Sequence, residues 1–369
     1  MWNRLTRFLN EQFFRVLSLV LPPQARPLPQ NPQLILVFST TGIGDCVFDS
    51  AAIKSLKQGH PRAKLIVCTH HRRPAIVEHN PFVDEVIRLS KSPILQLRLL
   101  ARFWNNRPDL IVALRVNEDA VPLGYLLNRH AFVGAVERCQ RLSFLLSHPV
   151  ITFETGKKQH IIEETLKVAL VAGGSSTNRG MIYQIQEKEF LALRSKYPLL
   201  TQKKYIVFQT GGGKAQSWRD WPVASYIQAI HWLQQHYDYS IILTGGSDNR
   251  AAAAGIEAAC PGVLNYAEKT TLEETAVLLA GATMLVSTDT GVMHLGFAIG
   301  CPVLGIFHYR SPASLCGPLE DYSRKHEVVE LVKPQHPMQN PPSNEMSLIP
   351  FEEVKAAMER ILATAEKKK

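Results

Sequence analysis

Two aspartates in this sequence stand at glycine-containing turns that follow apolar runs, and the chemistry expected of such turns is phosphate binding and proton transfer. Between Met284 and Ala298 an apolar run ends in Ser-Thr-Asp, and a Thr-Gly pair precedes a second apolar segment. We interpret this order as strand, turn and helix N-terminus. The unpaired N–H groups of a first helical turn attract anions, so Gly291 would let a diphosphate approach closely. The alternative is that Asp289 or Thr290 only caps the helix.

Two further glycine turns in the same half of the chain favour the phosphate interpretation. One runs from Phe208 to Gly213 and the other from Leu243 to Gly246, and each follows an apolar run. Three strand-to-glycine turns can meet along one edge of a parallel sheet, which is where open α/β folds bind ligands.

Asp45 is the candidate general base. It follows the apolar run Leu34 to Phe38 and the turn Ser39 to Gly44, and it precedes a helix expected from about Val47 to Gln58. A carboxylate just beyond a strand end faces the cleft between domains and can take a proton from a substrate hydroxyl. The simpler interpretation is a helix-capping aspartate. The glycines of this turn do not form a dinucleotide fingerprint, because the third glycine is missing.

Four arginines are candidates for binding anionic groups, three of them near predicted strand ends and one at a helix start. Arg72 and Arg73 follow the strand Lys64 to Cys68, and Arg115 ends the strand Leu110 to Arg115. Their guanidinium groups can bind phosphate or carboxylate groups of an acceptor, or they are simply solvated. Arg219 precedes Pro222, which opens an amphipathic helix. Arg219 can stabilise charge on a departing diphosphate, or it is surface charge at a helix start.

Composition bounds the class of protein. The 369 residues are 46% hydrophobic and 20% charged, which is typical of a globular chain with two domains. A net charge of +9 favours anionic partners, but charge alone does not choose among nucleic acid, anionic lipid and phosphorylated sugars. The six cysteines lack zinc-type spacing. We expect reduced, mostly buried thiols in a cytoplasmic protein.

The elements that must position these residues alternate along the chain. Short apolar runs are separated by helical stretches such as Ile94 to Trp104, an order typical of a doubly wound α/β domain. The segment Val116 to Glu154 shows no motif that we can interpret. A second α/β unit starts at Tyr205, and we place the domain boundary near Ile185.

The first 21 residues predict a basic amphipathic helix, followed by a semi-rigid proline-rich spacer up to Pro32. The apolar stripe comprises Trp2, Leu5, Leu9, Phe13, Val16 and Val20, and the arginines opposite are Arg4, Arg7 and Arg15. The uncharged run is too short to span a bilayer. Two interpretations remain open: the helix docks on an anionic membrane face, or it packs on its own domain or on a partner.

Taken in order, these blocks resemble glycosyltransferase family 9, the lipopolysaccharide heptosyltransferases. The resemblance rests on Gly44-Asp45, on the Gly211 to Pro222 block that ends in Arg-Asp-Trp-Pro, on Leu243 to Gly246, and on the most specific block, Asp289 to His294. It covers about Leu34 to Leu362. The family usually has lysine where this chain has Arg219, and often a basic residue where it has Ser39-Thr40-Thr41.

The resemblance implies two Rossmann-like doubly wound α/β domains facing a central cleft, the GT-B arrangement. With the boundary above, residues 33–185 form an acceptor domain, 186–345 a nucleotide-sugar domain, and 346–369 a C-terminal helix, after the helix and spacer of residues 1–32. It further implies transfer from a nucleotide-diphosphate sugar, typically ADP-heptose, to an anionic glycolipid of the lipopolysaccharide core on the cytoplasmic side. Nucleic acid is not an expected partner.

Residue by residue, Asp45 is then the general base, and the turn from Asp289 to His294 holds the donor diphosphate. The donor-binding residues expected are Thr210, Gly211, Lys214, Arg219, Gly245, Asp289, Thr290, Gly291 and His294. The acceptor-binding residues expected are Arg72, Arg73 and Arg115. Inverting displacement follows, with no cofactor, and no metal is expected because no acidic pair with metal-ligand spacing stands at a strand end. The alternatives are a non-catalytic sugar-nucleotide binder and a nucleotide-dependent oxidoreductase, which the missing third glycine disfavours.

Overall fold

The computed structural model describes residues 2–90, 92–117, 120–152, 159–197, 203–212, 214–319, 326–334 and 342–366, without the side chains of residues 2–5, 214–216 and 366. Within it the chain divides into two units, Met1–Ile182 and Tyr183–Lys369. We call them unit 1 and unit 2. Each contains a six-stranded sheet whose neighbouring strands are parallel. The expected pair of Rossmann-like doubly wound domains is therefore confirmed.

The strands of unit 1 are β1 (Leu34–Ser39), β2 (Lys64–His70), β3 (Glu85–Leu89), β4 (Leu110–Arg115), β5 (Phe132–Ala135) and β6 (His148–Val150). Its helices are α1 (Trp2–Val20), α2 (Ile43–Gly59), α3 (Ala75–Glu78), α4 (Pro93–Arg102), α5 (Val121–Leu127), α6 (Val136–Cys139), α7 (Ile161–Val171) and a 3₁₀ helix, Gln140–Leu145.

The strand order of unit 1 is β3-β2-β1-β4-β5-β6. The order reverses between β1 and β4, and in open α/β sheets the crevice at such a point, outside the carboxyl ends of the strands, is where ligands bind. Asp45 follows β1, and Arg115 ends β4. The fold therefore places both residues at the reversal point.

Burial explains why these runs form central strands. Every residue of β1 and of β4 is buried, as expected for strands covered by helices on both faces. On one face, α2 packs against α7. On the other, α1, α4 and α5 share a cluster that includes Phe14, Leu99 and Val121.

The strands of unit 2 are β7 (Tyr205–Gln209), β8 (Ser240–Thr244), β9 (Leu264–Asn265), β10 (Met284–Thr288), β11 (Val303–His308) and β12 (Glu327–Leu331). Its helices are α8 (Glu187–Lys196), α9 (Val223–His236), α10 (Arg250–Ala259), α11 (Leu272–Gly281), α12 (Gly291–Ala298), α13 (Ala313–Cys316), α14 (Phe351–Glu366) and 3₁₀ helices over Lys214–Arg219, Ser247–Asn249 and Glu345–Leu348.

Unit 2 repeats the topology of unit 1. Its order is β12-β11-β10-β7-β8-β9, so the reversal lies between β7 and β10. The last helix, α14, packs into the core of this unit through buried residues such as Met358 and Ile361. All six cysteines are buried, as predicted, and no disulfide joins them in the part of the chain that the structure describes.

Helix α1 has two different faces. Phe14 is only 6% exposed and joins the core of unit 1, and its ring meets Tyr125 edge-on. The opposite face exposes Leu9, Phe13, Val16 and Val20, which recur at helical spacing. The helix thus packs on its own domain and also presents an uncovered apolar stripe. Among the described residues, no helix has the length and apolarity needed to cross a bilayer.

Candidate active site

Three glycine turns meet at one edge of the unit 2 sheet. Because β10, β7 and β8 are parallel neighbours, the turns that follow them lie side by side. The side-chain amide of Asn249, behind β8, donates to the carbonyl of Gly212, behind β7, at 3.2 Å. A Cβ placed on Gly212 would come within 3.9 Å of the Thr290 methyl group, behind β10. The sequence expectation that these turns converge is confirmed.

Asp220 stabilises the conformation of the turn that follows β7. The backbone N–H of Gly212 donates to Asp220 Oδ1 at 2.7 Å, and Gly211 has a φ of +128°, which side-chain-bearing residues rarely adopt. Burial raises the pKa of Asp220, although the Gly212 N–H and the charge of Arg219 lower it. Asp220 therefore determines the path of this turn.

Alanine at Gly211 should lower the free energy of unfolding, and alanine at Gly246 should not. A Cβ at Gly211 would meet the Asp220 carboxyl carbon at 2.9 Å in a strained backbone conformation, whereas at Gly246 it would meet nothing within 4 Å. We expect Gly211→Ala to lose roughly 1–3 kcal/mol of unfolding free energy and to bind nucleoside diphosphate more weakly. Gly246→Ala is the matched control. Equal stability of the two variants in denaturant unfolding would refute this account of the turn.

Asp289 is the centre of the polar network at this edge. Its Oδ2 accepts from Arg219 Nη1 at 2.5 Å and from the Ser311 hydroxyl at 2.8 Å, and its Oδ1 lies 3.0 Å from His294 Nε2. Burial alone would raise the pKa of Asp289, but His294, Arg219 and Ser311 together lower it to about 2. The carboxylate is therefore charged at neutral pH, and it fixes a guanidinium and an imidazole beside the turn.

The residues after Asp289 form a helix N-terminus, as the sequence predicts. Thr290 is the N-cap of α12, and its hydroxyl accepts from the N–H of Met293 at 3.3 Å. The helix begins at Gly291. The first N–H groups of a helix bind anions well, and here they lie beside Arg219. Capping and phosphate binding are compatible at this turn, because the cap satisfies only one of the unpaired donors.

The other predicted donor residues occupy different positions. Thr210 is buried, and its backbone N–H and its hydroxyl both donate to the carbonyl of Thr244. A Cβ at Gly245 would collide with Asn249, so this glycine permits the close contact between the turns. Lys214 begins the 3₁₀ helix that ends at Arg219, and its side chain lies outside the described residues.

In unit 1, Asp45 lies in the first turn of α2 and uses both carboxylate oxygens. Oδ2 accepts from the N–H of Gly42, the residue before the helix, at 3.0 Å, and Oδ1 accepts from Arg115 Nη1 at 2.8 Å. The Asp45 side chain is 30% exposed. It thus helps to start the helix and also presents an oriented carboxylate to solvent, so the capping and catalytic interpretations are compatible.

Arg115 holds Asp45 from inside the protein. Its side chain is 7% exposed and lies between Asp45 and buried Glu164, whose Oε2 is 3.6 Å from Arg115 Nη2. Arg138 forms a second ion pair with Glu164. The sequence predicts an acceptor contact for Arg115, but its burial and these partners indicate that it positions Asp45. A register shift between Phe38 and Ser39 pairs Ser39 with Arg115, and such bulges redirect side chains.

The other two candidate acceptor arginines follow β2. Arg73 Nη1 donates to the carbonyl of Thr41 at 3.0 Å, and a Cβ on Gly42 would lie 3.2 Å from Asp45 Oδ2 and 3.9 Å from Arg73 Nη1. Arg73 therefore reaches the turn that carries Asp45. Arg72 is exposed on the same loop, and no contact of its guanidinium with this turn is seen in the described part of the chain.

Asp49, one turn after Asp45, is a residue that the sequence analysis passed over. It is fully buried, its Oδ2 accepts from the Ser39 hydroxyl at 2.5 Å, and burial raises its pKa to about 7. It faces the sheet and not the solvent. Because the pKa of this carboxyl group lies near neutral pH and the residue is on the same helix, Asp49 serves as a control position for Asp45.

Ser311 and Asp220 are the main site residues that sequence reasoning missed. Ser311 stands three residues after β11, which neighbours β10, so the strand order brings it to Asp289. Asp220 lies inside the Arg-Asp-Trp-Pro block, where the sequence pattern indicates no separate role for it. Ser311 could be identified from the sequence only if β11 were known to lie beside β10, because a residue just after β11 then lies near Asp289.

Solved structures share this fold. A glycosyltransferase of family 9 from Veillonella parvula superposes with a TM-score of 0.75 at 19% identity, covering 92% of this chain and 99% of that one. The ADP-heptose lipopolysaccharide heptosyltransferase II of Escherichia coli gives a TM-score of 0.74 at 19% identity, covering 90% and 99%. The fold is thus that of glycosyltransferases built from two Rossmann-like domains.

Sequence comparison identifies the family. The profile of glycosyltransferase family 9 (heptosyltransferase) matches residues 129–345. Lipopolysaccharide heptosyltransferase 3 of Escherichia coli is 22% identical over a 280-residue alignment that covers 72% of this chain and 80% of that protein. The chain belongs to glycosyltransferase family 9.

Proposed function

We propose that this protein transfers a heptose from ADP-heptose to a lipopolysaccharide core or a related anionic glycolipid, with inversion at the anomeric carbon. The observation that carries the proposal is the edge of unit 2, where Arg219, Asp289 and the start of α12 converge beside three glycine turns. The matched heptosyltransferases act in lipopolysaccharide synthesis, and one of them is described as using ADP-heptose.

The reaction that we propose is a single displacement. The acceptor hydroxyl attacks the anomeric carbon and gives its proton to Asp45, while the bond from that carbon to the diphosphate oxygen breaks. The departing oxygen takes the bonding electron pair, and Arg219 with the N–H groups of Thr290 and Gly291 stabilises the resulting charge. Arg115 and the Gly42 N–H hold Asp45 during this step. We propose Arg72 and Arg73 as the acceptor contacts.

Nucleotide-sugar turnover tests this proposal. When the protein is incubated with a glycolipid acceptor and a panel of nucleotide sugars, ADP-heptose should release nucleoside diphosphate, and the release should require the acceptor because its hydroxyl is the attacking group. We propose that no divalent ion is required, so a chelator should leave the rate unchanged. Tight donor binding without release would instead favour the non-catalytic binder. Turnover of a nicotinamide cofactor with no release would favour the oxidoreductase.

We further propose that the protein works at the cytoplasmic face of a membrane, held there by α1. The exposed stripe of Leu9, Phe13, Val16 and Val20 suits burial at the headgroup boundary. Basic residues near an anionic surface contribute on the order of 1 kcal/mol each, which suits reversible attachment. An enzyme with a membrane-bound acceptor then searches in two dimensions.

Substitution of the stripe tests this attachment more cleanly than deletion, because deletion would also remove Phe14 from the core. Changing Leu9, Phe13 and Val16 to serine should abolish sedimentation with anionic vesicles and leave activity on a detergent-soluble acceptor unchanged. Serine at Ile151 and Leu191, which are about as exposed, provides the control. Undiminished sedimentation of the stripe variant would show that α1 is only a packing element.

A further inference from the structure

An apolar cavity lies at the end of α1, on the face of unit 1 that also carries α4 and α5. Its volume is about 250 Å³. The walls are formed by Leu21, Leu100, Phe103, Trp104, Tyr125 and Leu126. The Tyr125 hydroxyl donates to the carbonyl of Leu21, so the end of α1 is fixed to the cavity wall.

Two arginines stand beside this apolar space. Arg107 and Arg129 both line the cavity, and neither forms an ion pair with the described part of the chain. The guanidinium of Arg107 lies 6.0 Å from the centre of the Trp104 ring. The amide of Asn128 donates to the carbonyl of Pro108 at 2.9 Å and so ties the two arginine-bearing loops together. An apolar slot with two cations beside it complements an anionic amphiphile.

The surroundings of the cavity are also apolar and uncovered. Along α4 and just beyond it, Ile94, Leu97 and Trp104 recur at helical spacing and are more than half exposed, with Trp104 at 71%. The stripe of α1 lies on the same face of the sheet, since Phe14, Leu99 and Phe103 share one buried cluster. The cavity therefore adjoins the exposed α4 residues through Trp104 and the end of α1 through Leu21. The membrane contact proposed above would place this face of unit 1 at the lipid surface.

The cavity is separate from the candidate active site. Arg107 and Arg129 each precede a strand, β4 and β5 respectively, so they lie at the amino-end edge of the sheet. Asp45 follows β1 and lies at the carboxyl-end edge. The two edges are about 20 Å apart for strands of six residues. A molecule held in the cavity therefore does not occupy the acceptor position at Asp45.

We propose that this cavity binds one acyl chain of an anionic membrane phospholipid, with Arg107 and Arg129 contacting its phosphate. The proposal rests on the membrane contact of α1, but it adds a site for an individual lipid molecule. Trp104 would lie at the headgroup level, where tryptophan side chains are favoured. Bound lipid would fix unit 1 at the surface in one orientation.

Calorimetry with monomeric short-chain lipid tests the proposal on the full chain. Dihexanoyl phosphatidylglycerol should bind with one-to-one stoichiometry and more tightly than dihexanoyl phosphatidylcholine, whereas glycerol phosphate alone should not bind. Leu126→Glu should weaken binding of both lipids by about tenfold or more, because it places a charge in an apolar slot. Alanine at both Arg107 and Arg129 should remove the preference for phosphatidylglycerol. Ile94→Glu, on an exposed position of α4 outside the cavity, should bind as the native chain does.

The outcomes separate this site from the other proposals. If the α1 stripe variant no longer sediments with vesicles but still binds monomeric lipid, the cavity site is supported independently of membrane docking by α1. Unchanged binding by Leu126→Glu, equally tight binding of glycerol phosphate, or dimerisation through this face without lipid binding would overturn the inference. These lipid-binding results do not bear on the proposed transferase activity. Turnover on a soluble acceptor tests that activity separately.

Discussion

The Asp45→Asn variant should lose about two to four orders of magnitude in turnover, the usual contribution of a positioned acid or base, and keep nearly native affinity for the donor. Asparagine has the shape of aspartate but cannot take the proton of the acceptor hydroxyl. It also has only one acceptor oxygen, so it cannot satisfy both Gly42 and Arg115. Turnover numbers, donor affinity by calorimetry and unfolding curves together separate lost chemistry from lost structure.

Asp49→Asn is the control for this experiment, because Asp49 lies one turn later on the same helix. Burial raises its pKa to about 7, so an uncharged amide is a close substitute for its protonated form. The control should therefore turn over at a near-native rate. A comparable loss in both variants would mean that the effect comes through α2, and native turnover in Asp45→Asn would remove Asp45 from the mechanism.

Arg219→Ala should weaken nucleoside diphosphate binding by about ten- to a hundredfold and slow transfer as well, since a charge-assisted contact to the leaving group is lost in ground and transition states. The loss of diphosphate affinity has a second cause in this protein. Asp289 would keep His294 and Ser311, but it would lose the guanidinium that balances its charge. The unbalanced carboxylate would then repel the diphosphate.

Arg219→Lys distinguishes these effects. Lysine keeps the charge but not the forked geometry, and it is the residue that the family usually has at this position. We expect it to recover most of the diphosphate affinity. Native affinity in Arg219→Ala, measured by calorimetry with the nucleoside diphosphate, would exclude Arg219 from the donor site.

The sequence was most informative where local pattern decides structure. The apolar runs of β1, β4 and β10 are buried on both faces, and continuous apolar runs of this kind predict central strands. By contrast, Val116 to Glu154 looked irregular, although it contains α5, β5, α6 and β6. These elements are short and are stabilised by packing in the core more than by their own periodicity.

The site was predictable in its turns but not in its pairings. Asp289, Thr290 and Gly291 form the predicted helix start. Asp45 follows β1 as expected, but the helix expected from about Val47 begins at Ile43, so Asp45 lies in its first turn and not before it. Arg115 could not be recognised as a partner of Asp45, because its burial depends on α7 supplying Glu164 from far along the chain. Likewise, Ser311 reaches Asp289 only because β11 lies beside β10. Strand order is a long-range property that local sequence does not encode.

The anomeric configuration of the transferred sugar tests the central claim most directly. NMR of the product formed from ADP-heptose and a glycolipid acceptor should show a new glycosidic bond of opposite configuration to the donor, with one nucleoside diphosphate released per bond. That result is what a single displacement with Asp45 as base requires. A product that retains the donor configuration, or nucleoside diphosphate release with no glycosidic product, would contradict the account.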